Sequence, residues 1–580
     1  LEELLKRGIA ELKRFLGDAS YQLQPETPKA NEAIAFSFAL PLDYKGVNRI
    51  LRIGFPKNFP FMALNFSITP CAVQVWPHVM RYGVCLYGAN QEPATSSPEE
   101  AVQSAMIRVS QLVQFSLADS NQEKREAEFS REVRSYWASQ MKESPNRFTL
   151  VKLPKSSGSL FVVSANAVDP LKSNQYIGGR EYEDIYQFEK RYKRFSSKQK
   201  ATAKPAFFLK LESTPSNLIE KMDLLSWLKG NVTPDVFFDL NSWFEETSEL
   251  PMRWLILSLP TDEIALQGFV FTDSNIYLKR QHATLYGRRT NRRKFNTSKD
   301  SLNVQFAPID VLDAAVIHHR AGPASRGLAN KKVVVIGAGS LGGEVAVLLA
   351  RSGVGSLYLV DYDTFEDVNI GRHTLGATAL GKYKVEALAD RICRDVPTSH
   401  VEFSTDLIQY GGKNHSQVLE SADLVIITTA NWNSEDYLWA LKSKGTGWGL
   451  IQAWSEPHGI VGHILTAPPG GNYDGRYLFM GGRFLRRMSE WPDDGVKALP
   501  ACGGSYIPGG PVALARIAGQ TVQHALDQLV NSLNNPEWHV LIGNVKTIKD
   551  YGGKYKGPDL PENVGSSELN YTWPSPESLV

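Results

Sequence analysis

The chain has 580 residues, too many for one hydrophobic core, so several domains are expected. Its 63 basic residues balance 61 acidic ones, and 42% of positions are apolar, which describes a globular protein with no general attraction to nucleic acid or to a membrane surface. Apolar runs are short and interrupted, so no transmembrane span or signal peptide is expected, and the first residue is Leu1 rather than Met, which reads as a trimmed start.

The first eighteen residues, LEELLKRGIAELKRFLGD, repeat Leu5, Ile9, Leu12 and Leu16 at helical spacing. Three strand-like runs follow (EAIAFSFAL, NRILRIGFP, MALNFSIT), with Pro56 and Pro60 punctuating the last connection. Cys85 then sits in RYGVCLYGANQ, between two short apolar runs. The next segment, TSSPEEAVQSAMIRVSQLVQF, reads as a helix. Ser97 caps it, Pro98 suits its first turn, Glu100 completes a capping box, and Val102, Met106, Val109 and Val113 share one face. Residues 120–145 are charged and helix-prone, as a connector or solvated helix.

From 150 to 320 the pattern is mixed. Strand-like runs (SLFVVSA, PAFFLKLE, RWLILSLP, IALQGFVFT) accompany one amphipathic helix, SNLIEKMDLLSWLKGN. The stretch KRQHATLYGRRTNRRKF, 279–295, is locally basic, which in a chain of balanced charge reads as a solvated or partner-docking face.

The most informative stretch is KKVVVIGAGSLGGEVAVLLARSGVGSLYLVDYD, 331–363. An apolar strand enters Gly337-x-Gly339-x-x-Gly342, a helix starts at once, and a second strand ends in Asp361, about 20 residues on. Glycines let the backbone approach phosphate, a helix N-terminus favours its charge, and Asp361 is placed to accept ribose hydroxyls.

Beyond Asp361 the residues Asp363, Asn369, Arg372, Gly381 and Lys384 follow in order. This set resembles the adenylating domain of the ubiquitin-activating, MoeB and ThiF family, and the resemblance implies an ATP site. Arg372 and Lys384 would hold triphosphate oxygens and stabilise charge at the α-phosphate. The family's strand matching DLVIITTAN ends in an aspartate that helps hold Mg2+; here that position is Ala430, so no metal ligand is assigned. Arg320 and Arg326, ahead of the first strand, are candidates for an arginine that enters the partner subunit's ATP site in relatives.

Four widely spaced cysteines, Cys71, Cys85, Cys393 and Cys502, exclude a disulfide framework and a CxxC zinc ribbon and fit a reducing cytoplasm. Cys502 lies in a Gly/Pro-rich loop before the helix-like ALARIAGQTVQHALDQLV, where the family places its thioester-forming cysteine. Cys71 and Cys393 lie in apolar or helical patterns and are expected to be inert, and His458 and His463 are given no role. With an activating domain downstream, residues 1–145 resemble the ubiquitin-conjugating fold: WPH, 76–78, stands where HPN is expected and Gly83-Val84-Cys85-Leu86 supplies the cysteine signature. His78 replaces the asparagine that polarises the thioester carbonyl.

The expected fold is therefore multidomain: an α+β ubiquitin-conjugating-like domain (1–145), a mixed α/β middle region (146–315), an α/β Rossmann-like adenylating domain (316–545) and a C-terminal tail (546–580). The whole resembles bacterial fused conjugating–activating enzymes of CBASS anti-phage operons. That implies a cytoplasmic homodimer using ATP and Mg2+ to load a protein C-terminus, that of a cGAS-like cyclic-oligonucleotide synthase, onto Cys502, then Cys85, then a target lysine. A sulfur-carrier adenylyltransferase and a degenerate, non-catalytic scaffold are the alternatives; a nicotinamide oxidoreductase is disfavoured by Asn369, Arg372 and Lys384.

Overall fold

In a computed structural model the described residues are all except 74, 81–82, 88–96, 119–121, 142–145, 165–174, 193–203, 213–223, 261–263, 274–301, 323–324, 326, 499–504, 532–534, 561–564 and 574–580. The chain divides into two units: Leu1–Tyr186 with Arg194–Asp310, and Gln187–Lys193 with Val311–Val580.

The first unit opens with helix α1 (Glu2–Leu16), stopped by Gly17 at φ 54°. Strands β1 (Gln24–Glu26), β2 (Glu32–Ala39), β3 (Ile50–Pro56) and β4 (Asn65–Thr69) form an antiparallel meander in that order. Phe36, Leu51, Ile53 and Phe66 from the sheet pack with Leu12 of α1 and with Val102, Met106 and Val109 of helix α2 (Pro98–Ser116). Each such buried side chain contributes roughly 1.5–3 kcal/mol of transfer free energy. The expected cap is present, with the Ser97 hydroxyl accepting from the Glu100 N–H at 3.3 Å. A two-stranded ribbon, β5 (Val79–Met80) and β6 (Gly83–Val84), precedes α2 and leads into Cys85.

Helix α3 (Gln122–Met141) corrects the expectation of a solvated connector, because Phe129 and Tyr136 are buried and their rings meet at 5.8 Å. Charge density hid an amphipathic face.

The rest of this unit is an eight-stranded mixed sheet. Its strands are β7 (Arg147–Leu150), β8 (Gly158–Ser164), β9 (Gln175–Gly179), β10 (Ala206–Lys210), β11 (Met252–Leu259), β12 (Ala265–Asp273), β13 (Leu302–Ala307) and β14 (Ile309–Val311), ordered β13-β12-β11-β10-β8-β9-β7-β14. The four strand-like runs are β8, β10, β11 and β12. Of the expected helix at 216–231, the described part is Leu224–Asn231, and helix Pro234–Glu246 packs with it over Phe207, Leu255 and Phe269. The basic stretch 279–295 lies outside the described residues.

The second unit is a doubly wound sheet. Strands β15 (Lys332–Ile336), β16 (Ser356–Val360), β17 (His400–Ser404), β18 (Leu424–Ile427) and β19 (Gly449–Ser455) are parallel in the order β17-β16-β15-β18-β19. Antiparallel β20 (Val461–Ala467), Glu537–Ile542 and Ser567–Thr572 extend it. A central parallel strand is covered on both faces, which is why KVVVI is apolar without alternation. Val333 and Val335 meet helices Ser340–Ser352, Lys384–Asp395 and Pro511–Asn531, while Val334 and Ile336 meet the layer containing Leu419, Leu438 and Trp439. Within the segment expected as a tail, Ser567–Thr572 supplies the eighth strand of this sheet.

Candidate active site

The glycine turn sits where β15 ends. Gly337 adopts φ 94°, a conformation open to glycine, and its N–H donates to the Val360 carbonyl at 2.8 Å. A Cβ at position 342 would lie 1.9 Å from the Gly337 oxygen, so helix Ser340–Ser352 can approach the turn that closely only with glycine there. By contrast, a Cβ on Gly339 would meet nothing within 4 Å, which leaves its backbone facing open space at the helix start.

Asp361 follows β16 and is tied to this turn. One carboxylate oxygen accepts from the Ala338 N–H at 2.6 Å and the other from the Asp363 N–H at 2.9 Å. Burial pushes its pKa above the usual carboxylate value, against those two donors. Each oxygen retains a lone pair for an added hydroxyl. Asp363 pairs with Lys384 at 2.8 Å, and the Lys384 N–H returns to the Asp363 carbonyl at 2.9 Å. Gly381, at φ 78°, turns the chain just before Lys384, and its N–H reaches the Phe365 carbonyl. Asn369 has a local task, its side chain accepting from the Glu366 N–H at 3.0 Å within a reciprocal cap. Arg372 instead reaches away, donating through Nη1 to the Ile507 carbonyl at 3.2 Å.

Ile507 belongs to the segment that follows the Cys502 loop. Short strands Lys497–Ala498 and Ser505–Tyr506 pair across that loop, and the next residues are anchored by a bridge between His458 and Gly509. Cys502 and Arg326 themselves lie outside the described residues. Arg320 is described and lies in the turn before β15, exposed.

Two groups escaped the sequence reading. His373 packs under the glycine turn, with Nε2 at 2.7 Å from the Ala338 carbonyl and Nδ1 accepting from the Leu375 N–H at 3.0 Å, which makes Nε2 the protonated nitrogen. Burial holds its pKa below the ordinary histidine value. The second is Glu435. Ala430 is exposed just past β18, while the neighbouring Thr429 hydroxyl donates to Glu435 Oε1 at 3.0 Å and Gln452 Nε2 donates to Oε2 at 3.0 Å. Burial raises the Glu435 pKa to about 7. Among the described residues no three His, Cys, Asp or Glu side chains converge as a metal site.

In the first unit, Cys85 is exposed and its N–H donates to the His78 carbonyl at 2.8 Å. Protein packed on one side of the sulfur, together with the Glu132 carboxylate, holds the thiol above its ordinary pKa. His78 sits at φ 60°, with Nδ1 2.6 Å from Glu132 Oε1. Cys71 is exposed, and Cys393 is half-buried in helix Lys384–Asp395. His463 is fully buried, between Glu456 Oε1 at 2.8 Å and the Trp538 indole N–H at 3.2 Å.

Residues 315–447, which include this glycine turn and its charged loop, match the ThiF family. Within that class the chain is similar to the ATP-dependent ubiquitin transferase-like protein Cap2 of Pseudomonas aeruginosa (strain BWHPSA011 / Pa011), at 29% identity over 238 residues, 39% of this chain and 42% of that protein. Cap2 of Enterobacter hormaechei subsp. hoffmannii (strain UCI 50) is 41% identical over 76 residues, 13% of each chain. The adenylyltransferase and sulfurtransferase MOCS3 of Aedes aegypti is 36% identical over 105 residues, 18% of this chain and 24% of that protein. The chain thus spans less than half the length of these relatives. No helix among the described residues is long and apolar enough to cross a membrane.

Proposed function

We propose that the chain is an ATP-dependent activating and conjugating enzyme for a protein C-terminus. The observation that carries this reading is the joining of the glycine turn, Asp361 and the Asp363–Lys384 pair to the cysteine-loop flank through Arg372. ATP would lie against the turn, its ribose on Asp361 and its phosphates near Lys384 and Arg372. The half-exposed Asp363 carboxylate is an oxygen donor of the type Mg2+ takes, and the ion, when bound, supplies neutralisation of phosphate charge.

In the proposed sequence a substrate carboxylate oxygen attacks the α-phosphorus and pyrophosphate leaves. The Cys502 thiolate attacks the acyl carbon of the resulting acyl-AMP, releasing AMP, and the Cys85 thiolate takes the acyl group in turn. A lysine amine on the target then attacks, forming an amide and returning the Cys85 thiolate. The likeness to the ubiquitin transferase-like protein Cap2 supports the transferase part of this reading. The CBASS role, the cGAS-like synthase as the conjugated protein, the cytoplasmic homodimer and residues 1–145 as a ubiquitin-conjugating-like domain are what the sequence resemblance implies. The likeness to MOCS3 favours one second reading, sulfur-carrier adenylation, for which Cys85 is dispensable.

Intact-protein mass spectrometry with ATP, Mg2+ and a cGAS-like synthase tests the order. Hydroxylamine-sensitive adducts are expected on both cysteines of the wild type, on Cys502 alone in Cys85→Ala, and on neither in Cys502→Ala. Loading of Cys85 in Cys502→Ala would refute the relay, and final product from Cys85→Ala would favour the sulfur-carrier reading. No adenylate from the wild type would leave a scaffold.

A further inference from the structure

The Cys85 region holds a side-chain arrangement that the conjugating-fold resemblance does not supply. His78 is a non-glycine residue at φ 60°, a left-handed backbone state uncommon outside glycine, though Asn, Asp and His enter it more often than other residues. Three contacts hold it there. Its N–H donates to the Tyr136 hydroxyl at 2.6 Å, its carbonyl accepts from the Cys85 N–H at 2.8 Å, and its Nδ1 lies 2.6 Å from Glu132 Oε1. Tyr136 is buried and donates its own proton to Glu132 Oε2 at 3.2 Å, which fixes the carboxylate.

A neutral imidazole bonded this way carries its proton on Nδ1, toward Glu132, and leaves Nε2 as the basic nitrogen. Nε2 is 3.8 Å from Glu128 Oε2, beyond hydrogen-bonding distance, and Glu128 is itself engaged by Arg131 at 3.0 Å. The histidine side chain is one-third exposed, so an incoming group can reach it. A histidine whose Nδ1 is held by a carboxylate is the oriented-base half of a cysteine acyl-transfer arrangement, and here the backbone of that histidine is bonded to the backbone of Cys85.

We infer that His78 is the general base for the amine that attacks the Cys85 thioester, with Glu132 as its positioning residue; this rests on the reading of Cys85 as an acyl carrier. The acceptor enters as a free amine. Its nitrogen bonds to the thioester carbon, Nε2 takes the N–H proton, and the C–S bond breaks with its electron pair remaining on Cys85 Sγ. The imidazolium then returns that proton to the thiolate, which the Glu132 field and the packing around it disfavour. An asparagine at the same position can donate a hydrogen bond but cannot accept this proton.

The test bypasses ATP. Full-length chain with Cys71→Ser, Cys393→Ser and Cys502→Ala is acylated at Cys85 by exchange with a 2-mercaptoethanesulfonate thioester of acetylglycine. Single-turnover loss of the acyl group is then followed by mass with free lysine, and with hydroxylamine, whose weakly basic nitrogen sheds its proton unaided. His78→Asn, which tolerates the left-handed backbone, is expected to slow lysine about 10²-fold and hydroxylamine less than twofold. The wild-type lysine rate should rise with pH through the His78 titration, which Glu132 raises from the ordinary value, and Glu132→Gln should move that inflection to lower pH. Glu132 and Glu128 are the described titratable groups against the ring, while Tyr136 and Cys85 contact the His78 backbone. An unchanged lysine rate in His78→Asn, or equal slowing of both nucleophiles, overturns the base assignment. Failure of the parent reading shows separately, as ATP-dependent product that persists in Cys85→Ala.

Discussion

Arg372 donates to the carbonyl of Ile507 at 3.2 Å, linking the loop after the second parallel strand to the segment that closes the Cys502 hairpin. A cation that would stabilise charge at the α-phosphate is thus in contact with the chain that carries the proposed nucleophile. Adenylation and thioester formation are coupled through one side chain in the proposed mechanism.

Replacing Arg372 with Ala is accordingly expected to lower ATP–pyrophosphate exchange about 10²–10³-fold, the usual loss of a charge-stabilising donor. Arg372→Lys should recover little, since a point charge cannot serve a phosphate oxygen and a carbonyl in the fork geometry of guanidinium. Exchange kinetics with the candidate substrate would read both, and a full rate in Arg372→Ala would remove Arg372 from the site.

Two of the fingerprint glycines, Gly339 and Gly342, should separate by mechanism. Gly342→Ala drives a Cβ into the Gly337 carbonyl and is expected to cost about 1–3 kcal/mol of stability without any ligand. Gly339→Ala meets open space, so apo stability should change by less than about 1 kcal/mol while the ATP-induced rise in melting temperature disappears. Thermal unfolding with and without ATP distinguishes them.

Glu435 makes a pH prediction. Its folded pKa of about 7 lies above the unfolded value of 4.5, so its contribution is most favourable below pH 4.5 and is lost as pH rises to about 7. Glu435→Gln removes this dependence. Urea unfolding should find wild type and variant similar near pH 5, with the variant more stable by something on the order of 3 kcal/mol near pH 8. A pH-independent difference would contradict the assignment.

The buried Asp43 is held by Arg49 at 2.7 Å, the Trp76 indole N–H at 3.1 Å and the N–H groups of Lys45 and Val47. Asp43→Ala leaves the Arg49 cation buried without its partner and should cost about 3–5 kcal/mol. Denaturant titration of the first unit reads this, and a loss below about 1 kcal/mol would mean that water replaces the carboxylate.

Much of this protein was legible as sequence because the relevant physics is local. The capped helix Pro98–Ser116, the meander before it and the glycine turn after Lys332–Ile336 follow from side-chain period, cap chemistry and backbone freedom within a few residues. The run Asp361 to Lys384 was equally readable, since its members lie on one loop. Helix Gln122–Met141 was misjudged because charged residues outnumber the few, Phe129 and Tyr136 among them, that make its buried face.

What the sequence determined alone, then, was the pair of covered parallel strands and the glycine turn that follows the first of them. Tertiary structure decided which distant groups those features meet. Glu132 reaches His78 across 54 residues, Arg372 reaches Ile507 across 135, and Ser567–Thr572 closes a sheet begun more than 200 residues earlier. Such pairings depend on which faces the packed helices and strands turn toward each other, and no local periodicity encodes that orientation.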